Sequence, residues 1–382
     1  MKFLHLSDLH IGKSVNGFSM IEEQRHAFRQ IIEWVKIEHP EAVVMAGDIY
    51  DRSVPSTEAV CVFDDFLTEL ACENTAVMLI SGNHDSPERI HFASRLLSDK
   101  NLYFYGAFDG EIQKISLSDE HGEVHFWLLP FIKPSSLRGM FRDQEIDSYD
   151  DAIAAVLAAA NIDFTARNVL VSHQFYTKAG VTPVRSESEL NPVGGLDAID
   201  ASFIEQFDYA ALGHLHGRQN VGLSHLRYCG SPIKYSFSEC RQEKAMSVVE
   251  LGEKGNLTVR LFPLIPLHNM REIKGELEKL TSDEISSLAD KEDYLRVILT
   301  DEDEIIDPMG KLRSVYPNIM TLSIENKRTS IEIDAVSTDA ETMESLSHFE
   351  LFCEFYLKMN GLAMSEEQTA IVRELLERTG EE

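Results

Sequence analysis

The sequence has 382 residues, of which 43% are hydrophobic and 26% are charged. These are ordinary values for a globular protein, so they exclude wholesale disorder, and the length suggests two or three domains. Asp and Glu outnumber Lys and Arg by 64 to 35, and the resulting formal net charge of −29, taken alone, argues against a nucleic-acid partner.

The cysteines and the apolar runs indicate where such a chain resides. The five cysteines are widely spaced and form no C-x-x-C pair, which indicates a reducing compartment. No apolar run approaches the roughly 20 residues that span a bilayer, and the start of the chain becomes polar too soon for a signal peptide. We therefore expect a cytoplasmic protein without a membrane partner.

The first part of the chain alternates short β-type runs with helical patterns. Apolar residues predict strands at Phe3–Leu6, Ala42–Ala46 and Ala76–Ile80, separated by helices at Ile21–Ile37 and Thr57–Cys72. This βαβαβ order predicts buried parallel strands that are covered by helices.

Less regular β-type runs and one Ala-rich helix follow. The strands are predicted at Val124–Leu129, Asn168–Ser172, Tyr209–Leu212 and Met246–Leu251, and the helix at Asp151–Ala160. We expect these strands to form a second sheet that packs on the first, with helices on the outside, in an α/β fold.

A proline-punctuated stretch at residues 262–267 predicts a domain boundary. From His268 to the end, 12 Lys and Arg face 27 Asp and Glu, so about half of the net charge lies in less than a third of the chain. The sequence therefore predicts three parts: residues 1–267, a small α+β unit at 268–335, and a C-terminal helical segment at 336–382.

The last two parts differ in their apolar pattern. In the small unit, helices are predicted at Glu272–Leu280 and Met309–Tyr316, and strands at Tyr294–Leu299 and Ile319–Ile324. In the tail, two amphipathic helices are separated by Asn360-Gly361. Because a short helical pair with an apolar face is not stable alone, the tail must pack on the rest of the chain or on a partner.

Five short segments concentrate polar, metal-competent residues, and each directly follows a predicted strand. They are Asp8-Leu9-His10, Gly47-Asp48-Ile49-Tyr50-Asp51, Gly82-Asn83-His84-Asp85, Ser172-His173-Gln174 and Gly213-His214-Leu215-His216. In open α/β sheets, ligands bind beyond the carboxyl ends of the strands, so we expect the five segments to converge on one site.

Each segment alone is a modest signal, because a single His is more often a surface or core residue and G-D-x-x-D also fits a turn before a helix cap. The combination is harder to explain by structure, since burying these carboxylates and imidazoles unpaired would be costly. A pair of cations relieves that cost. Mixed Asp, Asn and His ligands suit Mn, Fe or Zn rather than Ca, and the absence of thiolates from the segments disfavours a structural zinc site.

In this order, the five segments resemble the signature of the calcineurin-like dinuclear metallophosphoesterases. His5–Gly12, Gly230–Glu239, the small unit and the tail further resemble the nuclease subunits that pair with SbcC-type ATPases and their archaeal and eukaryotic counterparts. The resemblance covers nearly the whole chain. It implies a metallophosphoesterase sandwich of two mixed β-sheets flanked by helices at 1–267, an α+β capping domain at 268–335, and an ATPase-binding helical segment at 336–382.

The resemblance also implies a set of site residues. Two divalent metal ions, expected to be Mn²⁺, would be bridged by Asp48. The other ligands would be Asp8, His10 and His216 for one ion, and Asn83, His173 and His214 for the second. A water between the ions would attack a phosphodiester, and His84 would stabilise the phosphorus or protonate the leaving oxygen. Asp85 would orient His84, and Asp51 would support the ligands from behind.

By this resemblance, the chain is a metal-dependent DNA nuclease with double-strand exonuclease and single-strand or hairpin endonuclease activity. It would act with an SMC-like, SbcC-type ATPase in DNA end processing, replication and recombination, as a homodimer within a heterotetramer. The C-terminal helices would bind the ATPase.

Three alternatives stay open. The same metal site serves dinuclear phosphoesterases that act on nucleotides or phosphoproteins, although the small unit and the tail argue against them. A non-catalytic scaffold on this fold would show the loss of a ligand, and none is lost. For the tail, the alternative is that both helices only cover the small unit.

Overall fold

The computed structural model describes residues 1–178, 183–189, 197–326, 347–360 and 363–379. The chain divides into two compact units, Met1–Asn269 and Met270–Glu382. Residues 336–346 of the predicted C-terminal segment lie outside the described residues. Within the described ranges, no helix has both the length and the apolar character that crossing a membrane requires.

The first unit contains two large sheets. Its long strands are β1 (Lys2–Leu6), β2 (Ala42–Ala46), β3 (Ala76–Ile80), β4 (Leu102–Tyr105), β5 (Gln113–Asp119), β6 (Gly122–Leu129), β7 (Arg167–Ser172), β8 (Tyr209–Leu212), β9 (Gln219–Val221), β10 (Leu223–Tyr228), β11 (Ala245–Leu251) and β12 (Leu257–Pro263). Its helices are α1 (Ile21–Glu38), α2 (Thr57–Cys72), α3 (Pro87–His91), α4 (Ser94–Leu97), α5 (Pro134–Leu137) and α6 (Tyr149–Ala159). Two-residue strands also pair at Ser14–Val15 with Phe18–Ser19, and at Tyr176–Thr177 with Ile199–Asp200.

Both large sheets are mixed, with parallel strands at the centre and antiparallel strands at an edge. The first sheet has the order β12-β11-β1-β2-β3-β4, in which β1 to β4 are parallel. The second has the order β9-β10-β8-β7-β6-β5, in which β10, β8, β7 and β6 are parallel. The predicted α/β class with two mixed sheets is confirmed.

Three apolar layers hold these elements in place. One lies between the two sheets and includes Phe3, Val44 and Phe126, all fully buried. A second lies between the first sheet and helices α1 and α2, and a third between the second sheet and α6. The central strands are therefore buried on both faces, which explains why they appear in the sequence as continuous apolar runs.

Local signals in the sequence set where the helices begin. The hydroxyl of Ser56 accepts a hydrogen bond from Ala59 N–H at 3.2 Å at the start of α2. Ser148 and Asp151 form a capping box at the start of α6. Such caps satisfy backbone N–H groups that the first helical turn leaves free, and each contributes about 1 kcal/mol.

The second unit contains a three-stranded parallel sheet. Its strands are β13 (Met270–Gly275), β14 (Tyr294–Leu299) and β15 (Ile319–Ile324), in the order β13-β14-β15. Its shorter helices are α7 (Leu277–Thr281), α8 (Asp283–Ser286) and α9 (Pro308–Arg313). Leu295, Val297 and Leu312 lie in its buried core.

The helix predicted at Glu272–Leu280 is wrong in its first part, which belongs to strand β13; only the end of the range, from Leu277, is helical, in the short helix α7. Met270, Ile273, Leu277 and Leu280 have helical spacing in the sequence, but the first two belong to the strand and the last two to the helix. Pairing of β13 with the buried strand β14 outweighs the local pattern.

The tail forms two helices in the described residues, α10 (His348–Asn360) and α11 (Glu366–Thr379). Each begins after a serine whose hydroxyl accepts a backbone N–H: Ser347 from Glu350 at 3.3 Å, and Ser365 from Gln368 at 3.2 Å. The guanidinium of Arg373 lies 4.7 Å from the centre of the Phe349 ring, so the two helices contact each other. Phe352 and Phe355 remain 40% and 59% exposed.

Candidate metal centre

The polar segments of the first unit follow the carboxyl ends of five parallel strands, and the structure brings them together. Asp8, His10, Asp48 and His214 all have positive φ angles, of 53°, 43°, 52° and 105°. Such values are uncommon for residues other than glycine and store backbone strain. Strain at four residues of one cluster indicates a functional site rather than an ordinary set of turns.

The first group of the cluster contains Asp8, His10 and His216, whose ligand atoms lie within 4.8 Å of one another. The Nε2 atoms of the two histidines are 3.0 Å apart. Asp8 accepts a hydrogen bond from Ser7 and a second from His214 N–H at 3.0 Å. All three side chains are buried, so water does not compensate their polar atoms.

The second group contains Asn83, His173 and His214. Asn83 Oδ1 lies 3.1 Å from His173 Nε2 and 3.0 Å from His214 Nδ1. The Nδ1–H of His173 donates to the carbonyl of Ala46 at 2.7 Å, so its Nε2 is turned towards the cluster.

Asp48 lies between the two groups. Its Oδ2 is 3.6 Å from His10 Nε2 and 3.3 Å from His173 Nε2. The predicted bridging residue thus approaches histidines of both groups. All seven side chains lie in one place, as the convergence of the strand ends requires.

Burial sets the electrostatics of this cluster. It raises the pKa of Asp8 to about 8, with Asp48 adding to the effect. Burial would also raise the pKa of Asp48, but His173 and His10 hold it well below its usual range. Burial would lower the pKa of His173, and the carboxylates of Asp48 and Asp8 instead raise it to about 9.

These donor atoms fit divalent cations. The lone pairs of two carboxylates, an amide oxygen and four imidazoles converge in a cluster whose side chains are buried except for half-buried Asn83. Such an arrangement is costly without a positive charge among them. His214 Nε2 and His10 Nδ1 are buried without a hydrogen-bond partner among the described residues. A divalent metal site of mixed oxygen and nitrogen ligands is the chemistry that these residues suit.

His84 lies at the exposed side of the cluster. Its ring is 4.8 Å from that of His10, and its Nδ1 is 3.0 Å from the backbone carbonyl of Asp51. Its backbone N–H donates to Asp48 Oδ1 at 2.8 Å. Together with His10 and Asp48, it also forms a group that could hold a metal ion.

Asp85 has a different role from the one that we expected. Its carboxylate accepts backbone N–H groups of Ile49 at 3.0 Å, Tyr50 at 2.9 Å and Gly82 at 2.9 Å. Among the described contacts, none joins this carboxylate to the ring of His84, which is oriented by the Asp51 carbonyl instead. Asp85 therefore ties the segment after β2 to the segment after β3.

The Asp51 carboxylate is near the site but not inside it. Its Oδ1 accepts a hydrogen bond from Lys13 Nζ at 2.8 Å and is 3.6 Å from His10 Nδ1. Through its backbone carbonyl, the same residue fixes His84. The expected supporting role of Asp51 behind the ligands stays a prediction.

Sequence reasoning missed a layer of residues behind His10 and His216. Tyr235 contacts both rings, at 5.5 and 5.6 Å between ring centres, and its hydroxyl donates to the carbonyl of Leu9. Ser188 and Glu239 form a hydrogen-bonded chain to His216. Tyr235 and Glu239 lie in the segment Gly230–Glu239. The signal available in the sequence was the mixture of polar and apolar residues in this segment.

Comparison with known proteins defines the class first. Residues 1–218 match the family model described as calcineurin-like phosphoesterase, which covers more than half of the chain and all five polar segments. Residues 266–360 match a second model, described as the type 5 capsule protein repressor C-terminal domain.

Curated relatives then define the particular family. The SbcD subunit of nuclease SbcCD from Staphylococcus epidermidis is 31% identical, and that from Staphylococcus saprophyticus is 29% identical, each over 98% of this chain and 98% of the relative. The chain therefore belongs to the SbcD family of calcineurin-like phosphoesterases. A solved dimetal phosphatase from Danio rerio aligns with a TM-score of 0.40 at 13% identity, covering 70% of this chain and 97% of that one.

Proposed function

We propose that the chain is a metal-dependent DNA nuclease that hydrolyses phosphodiester bonds as the nuclease subunit of an SbcCD-type complex. The observation that supports this proposal is the cluster of seven donor side chains, all buried except half-buried Asn83, which is complete in a chain that aligns with the SbcD subunit of nuclease SbcCD over 98% of its length. We assign double-strand exonuclease and single-strand or hairpin endonuclease activity in DNA end processing, replication and recombination.

The proposed ligands fall into the two groups described above, with Asp48 between them. Asp8, His10 and His216 would hold one ion, and Asn83, His173 and His214 the other. Two divalent ions, which we propose to be Mn²⁺, supply Lewis-acid activation of a water and of the scissile phosphate. Asp85 keeps the two segments that carry Asp48 and Asn83 in register.

His84 is the proposed contact to the scissile phosphate. The Asp51 carbonyl accepts its Nδ1–H, which leaves Nε2 on the side of the ring available to substrate. When the ring also carries a proton on Nε2, that nitrogen donates a hydrogen bond to a phosphate oxygen or passes its proton to the leaving oxygen. General acid catalysis of this kind contributes about 10²- to 10⁴-fold to a rate.

The remaining assignments concern partners and domains. We propose that residues 1–267 are the nuclease domain, 268–335 a capping domain, and 336–382 the segment that binds an SbcC-type ATPase. The exposed Phe352 and Phe355 on α10 support a helix-in-groove contact with that partner. We further propose a homodimer of this subunit within a heterotetramer, working in the cytoplasm.

A substrate panel tests the activity. The full-length protein and Asp48→Asn are incubated with Mn²⁺ and labelled linear duplex, hairpin DNA, mononucleotides or a phosphopeptide, with and without the ATPase. We expect the unmodified protein to cleave the two DNA substrates and Asp48→Asn to cleave none of the four. Activity confined to mononucleotides or the phosphopeptide would replace this proposal with a nucleotide or phosphoprotein phosphoesterase.

A further inference from the structure

The imidazole of His216 has its two nitrogens in different surroundings. Nε2 points into the cluster, 3.0 Å from His10 Nε2, whereas Nδ1 points away from it towards Ser188. The side chain is only 2% exposed, so bulk solvent hardly reaches the ring. A neutral imidazole coordinates a cation through whichever nitrogen lacks hydrogen, so the tautomer decides whether His216 serves as a ligand.

A hydrogen-bonded chain leads from Nδ1 to a buried carboxylate. Ser188 Oγ lies 2.7 Å from His216 Nδ1 and 2.7 Å from Glu239 Oε1. The Nδ1 atom is itself 3.6 Å from Glu239 Oε1, which is too long for a direct hydrogen bond. The hydroxyl of Ser188 therefore connects the imidazole to the carboxylate.

The direction of this chain follows from the chemistry of its end. Glu239 is fully buried, and its Oε2 accepts a hydrogen bond from Lys244 Nζ at 2.6 Å, which favours the ionised carboxylate. An ionised carboxylate only accepts hydrogen bonds, so the single hydrogen of Ser188 points to Glu239. The Ser188 oxygen can then only accept from His216, and the hydrogen of the imidazole must be on Nδ1.

Further contacts hold the carboxylate in place without touching the imidazole. Ser236 Oγ donates to Glu239 Oε1 at 3.0 Å. Lys244 Nζ also donates to the backbone carbonyl of His216 at 2.9 Å and to Ser231 Oγ at 3.0 Å. The ammonium group of Lys244 thus binds both the Glu239 carboxylate and the segment that carries His216. The charge of Glu239 is therefore paired and its position is fixed.

The other histidines of the cluster are held differently. His173 donates Nδ1–H directly to the Ala46 carbonyl. His10 Nδ1 and His214 Nε2 have no hydrogen-bond partner within the described part of the chain. A side-chain relay to a carboxylate therefore distinguishes His216 among these four residues.

We propose that Glu239, acting through Ser188, is a positioning group that keeps His216 in the Nδ1–H tautomer and presents its Nε2 to a metal ion. The inference rests on the proposed function only in taking His216 as a ligand. It assigns a role to Glu239 in the segment Gly230–Glu239, and explains why an acid and a lysine are buried behind the cluster.

The test uses Ser188→Ala, which removes the middle of the relay while leaving the Glu239–Lys244 pair intact. Ser236→Ala is the matched control, because it removes another hydroxyl donor to the same carboxylate without interrupting the relay. The first measurement is the ¹⁵N spectrum of the histidine side chains in chelator-treated protein. We expect the His216 signals of the unmodified protein and of Ser236→Ala to show hydrogen on Nδ1, and those of Ser188→Ala to show a mixture of tautomers.

The second measurement is Mn²⁺ binding by calorimetry. Loss of a group that orients a metal-binding histidine typically weakens affinity about 10- to 100-fold, so we expect one of two binding events to weaken by that factor in Ser188→Ala. Ser188→Thr retains a hydroxyl and should therefore bind Mn²⁺ with the affinity of the unmodified protein. Ser236→Ala should bind Mn²⁺ as the unmodified protein does.

Two outcomes separate the relay from the metal assignment. If Ser188→Ala keeps the Nδ1–H tautomer and full Mn²⁺ affinity, the relay proposal is wrong even when His216→Ala loses an ion. If His216→Ala binds two ions as tightly as the unmodified protein, His216 is not a ligand, and the proposed metal site itself must be revised.

Discussion

Among the histidines of the centre, His84 is held by a backbone carbonyl and stays partly exposed. Replacing that ring should have different effects if His84 is a metal ligand and if it contacts the phosphate of the substrate. Because we place His84 on the substrate side, His84→Gln should slow hydrolysis of bis-p-nitrophenyl phosphate about 10²- to 10⁴-fold while two Mn²⁺ ions remain bound.

The measurement pairs the hydrolysis rate with metal content by mass spectrometry. His121→Gln, in the turn between β5 and β6, is the control and should behave as the unmodified protein. Loss of one ion from His84→Gln would show that His84 belongs to the ligands, as its position beside His10 and Asp48 also permits.

His5 is a buried histidine that makes the stability of the fold depend on pH. Its side chain is fully buried, its Nδ1 lies 2.9 Å from the hydroxyl of Tyr209, and burial lowers its pKa to about 3. Below the ordinary pKa near 6.5, the unfolded chain binds a proton that the folded chain does not. The stabilising effect of a neutral His5 is therefore complete above about pH 6.5 and is lost progressively towards pH 3.

We predict that His5→Asn, which cannot take up this proton, reduces the acid sensitivity of the fold. At pH 5, the unmodified protein should lose about 2 kcal/mol more than the variant relative to pH 7. Thermal unfolding in a chelator at both pH values measures the difference. An equal fall of the melting temperature in the two proteins would contradict the prediction.

At the level of elements, the centre depends on how closely the segments after β2 and β3 approach each other. A Cβ atom added to Gly82 would overlap the carboxyl group and the backbone nitrogen of Asp48. The Asp85 carboxylate closes the same junction from the other side. Neither segment can shift without moving a proposed ligand.

Gly82→Ala should therefore impair metal binding and lower phosphodiester hydrolysis at least 10²-fold, because misplacement by about 1 Å has an effect of that size. Gly139→Ala is the matched control, since a Cβ at Gly139 meets nothing within 4 Å. Circular dichroism establishes that both variants fold. Normal activity of Gly82→Ala would show that the junction accommodates a methyl group.

The sequence predicted the first unit better than the second for a physical reason. Strands such as Ala42–Ala46 are buried on both faces, so they appear as unbroken apolar runs, and that strand has the bounds that the pattern indicates. In β13 the apolar residues Met270 and Ile273 lie three positions apart, a spacing that also fits a helix, so the sequence does not distinguish the strand from a helix. Whether such a segment forms a strand or a helix depends on the neighbouring strand with which it can pair. A short stretch of sequence does not contain this information.

In the candidate site, too, some residues could be predicted from the sequence and others could not. Each proposed ligand directly follows a strand, so one segment of sequence suffices to suggest it. Ser188 and Glu239 are 51 residues apart and meet only because two segments pack behind His216. The positive φ angles of Asp8 and Asp48 have no signature in the residue types either.

For the whole molecule, the net charge of −29 says less about DNA than it first suggests. About half of that charge lies beyond residue 267, and net charge governs solubility and non-specific binding rather than the chemistry of a site. Phosphate contacts by Lys and Arg provide most non-specific affinity for DNA. An acidic nuclease subunit is therefore compatible with the proposed complex, in which we expect the ATPase partner to provide much of the affinity for DNA.

The tail provides the test of that assembly. Phe355→Glu places a charge on the exposed apolar face of α10 and should weaken co-purification with the SbcC-type ATPase at least tenfold, as expected for a central aromatic contact. Hydrolysis of bis-p-nitrophenyl phosphate should not change. Glu367→Gln, at an exposed position on α11, is the control. Undiminished binding by Phe355→Glu would favour the alternative that the two helices only cover the small α+β unit predicted at 268–335.

The order of the proposed ligands along the chain has a consequence for synthesis. They run from Asp8 to His216, and the lysine that pairs with Glu239 is residue 244. On the proposed assignment, a polypeptide that ends before His216 lacks part of the centre, and we expect it not to hydrolyse DNA. We then expect hydrolysis only from a chain that extends through the whole first unit.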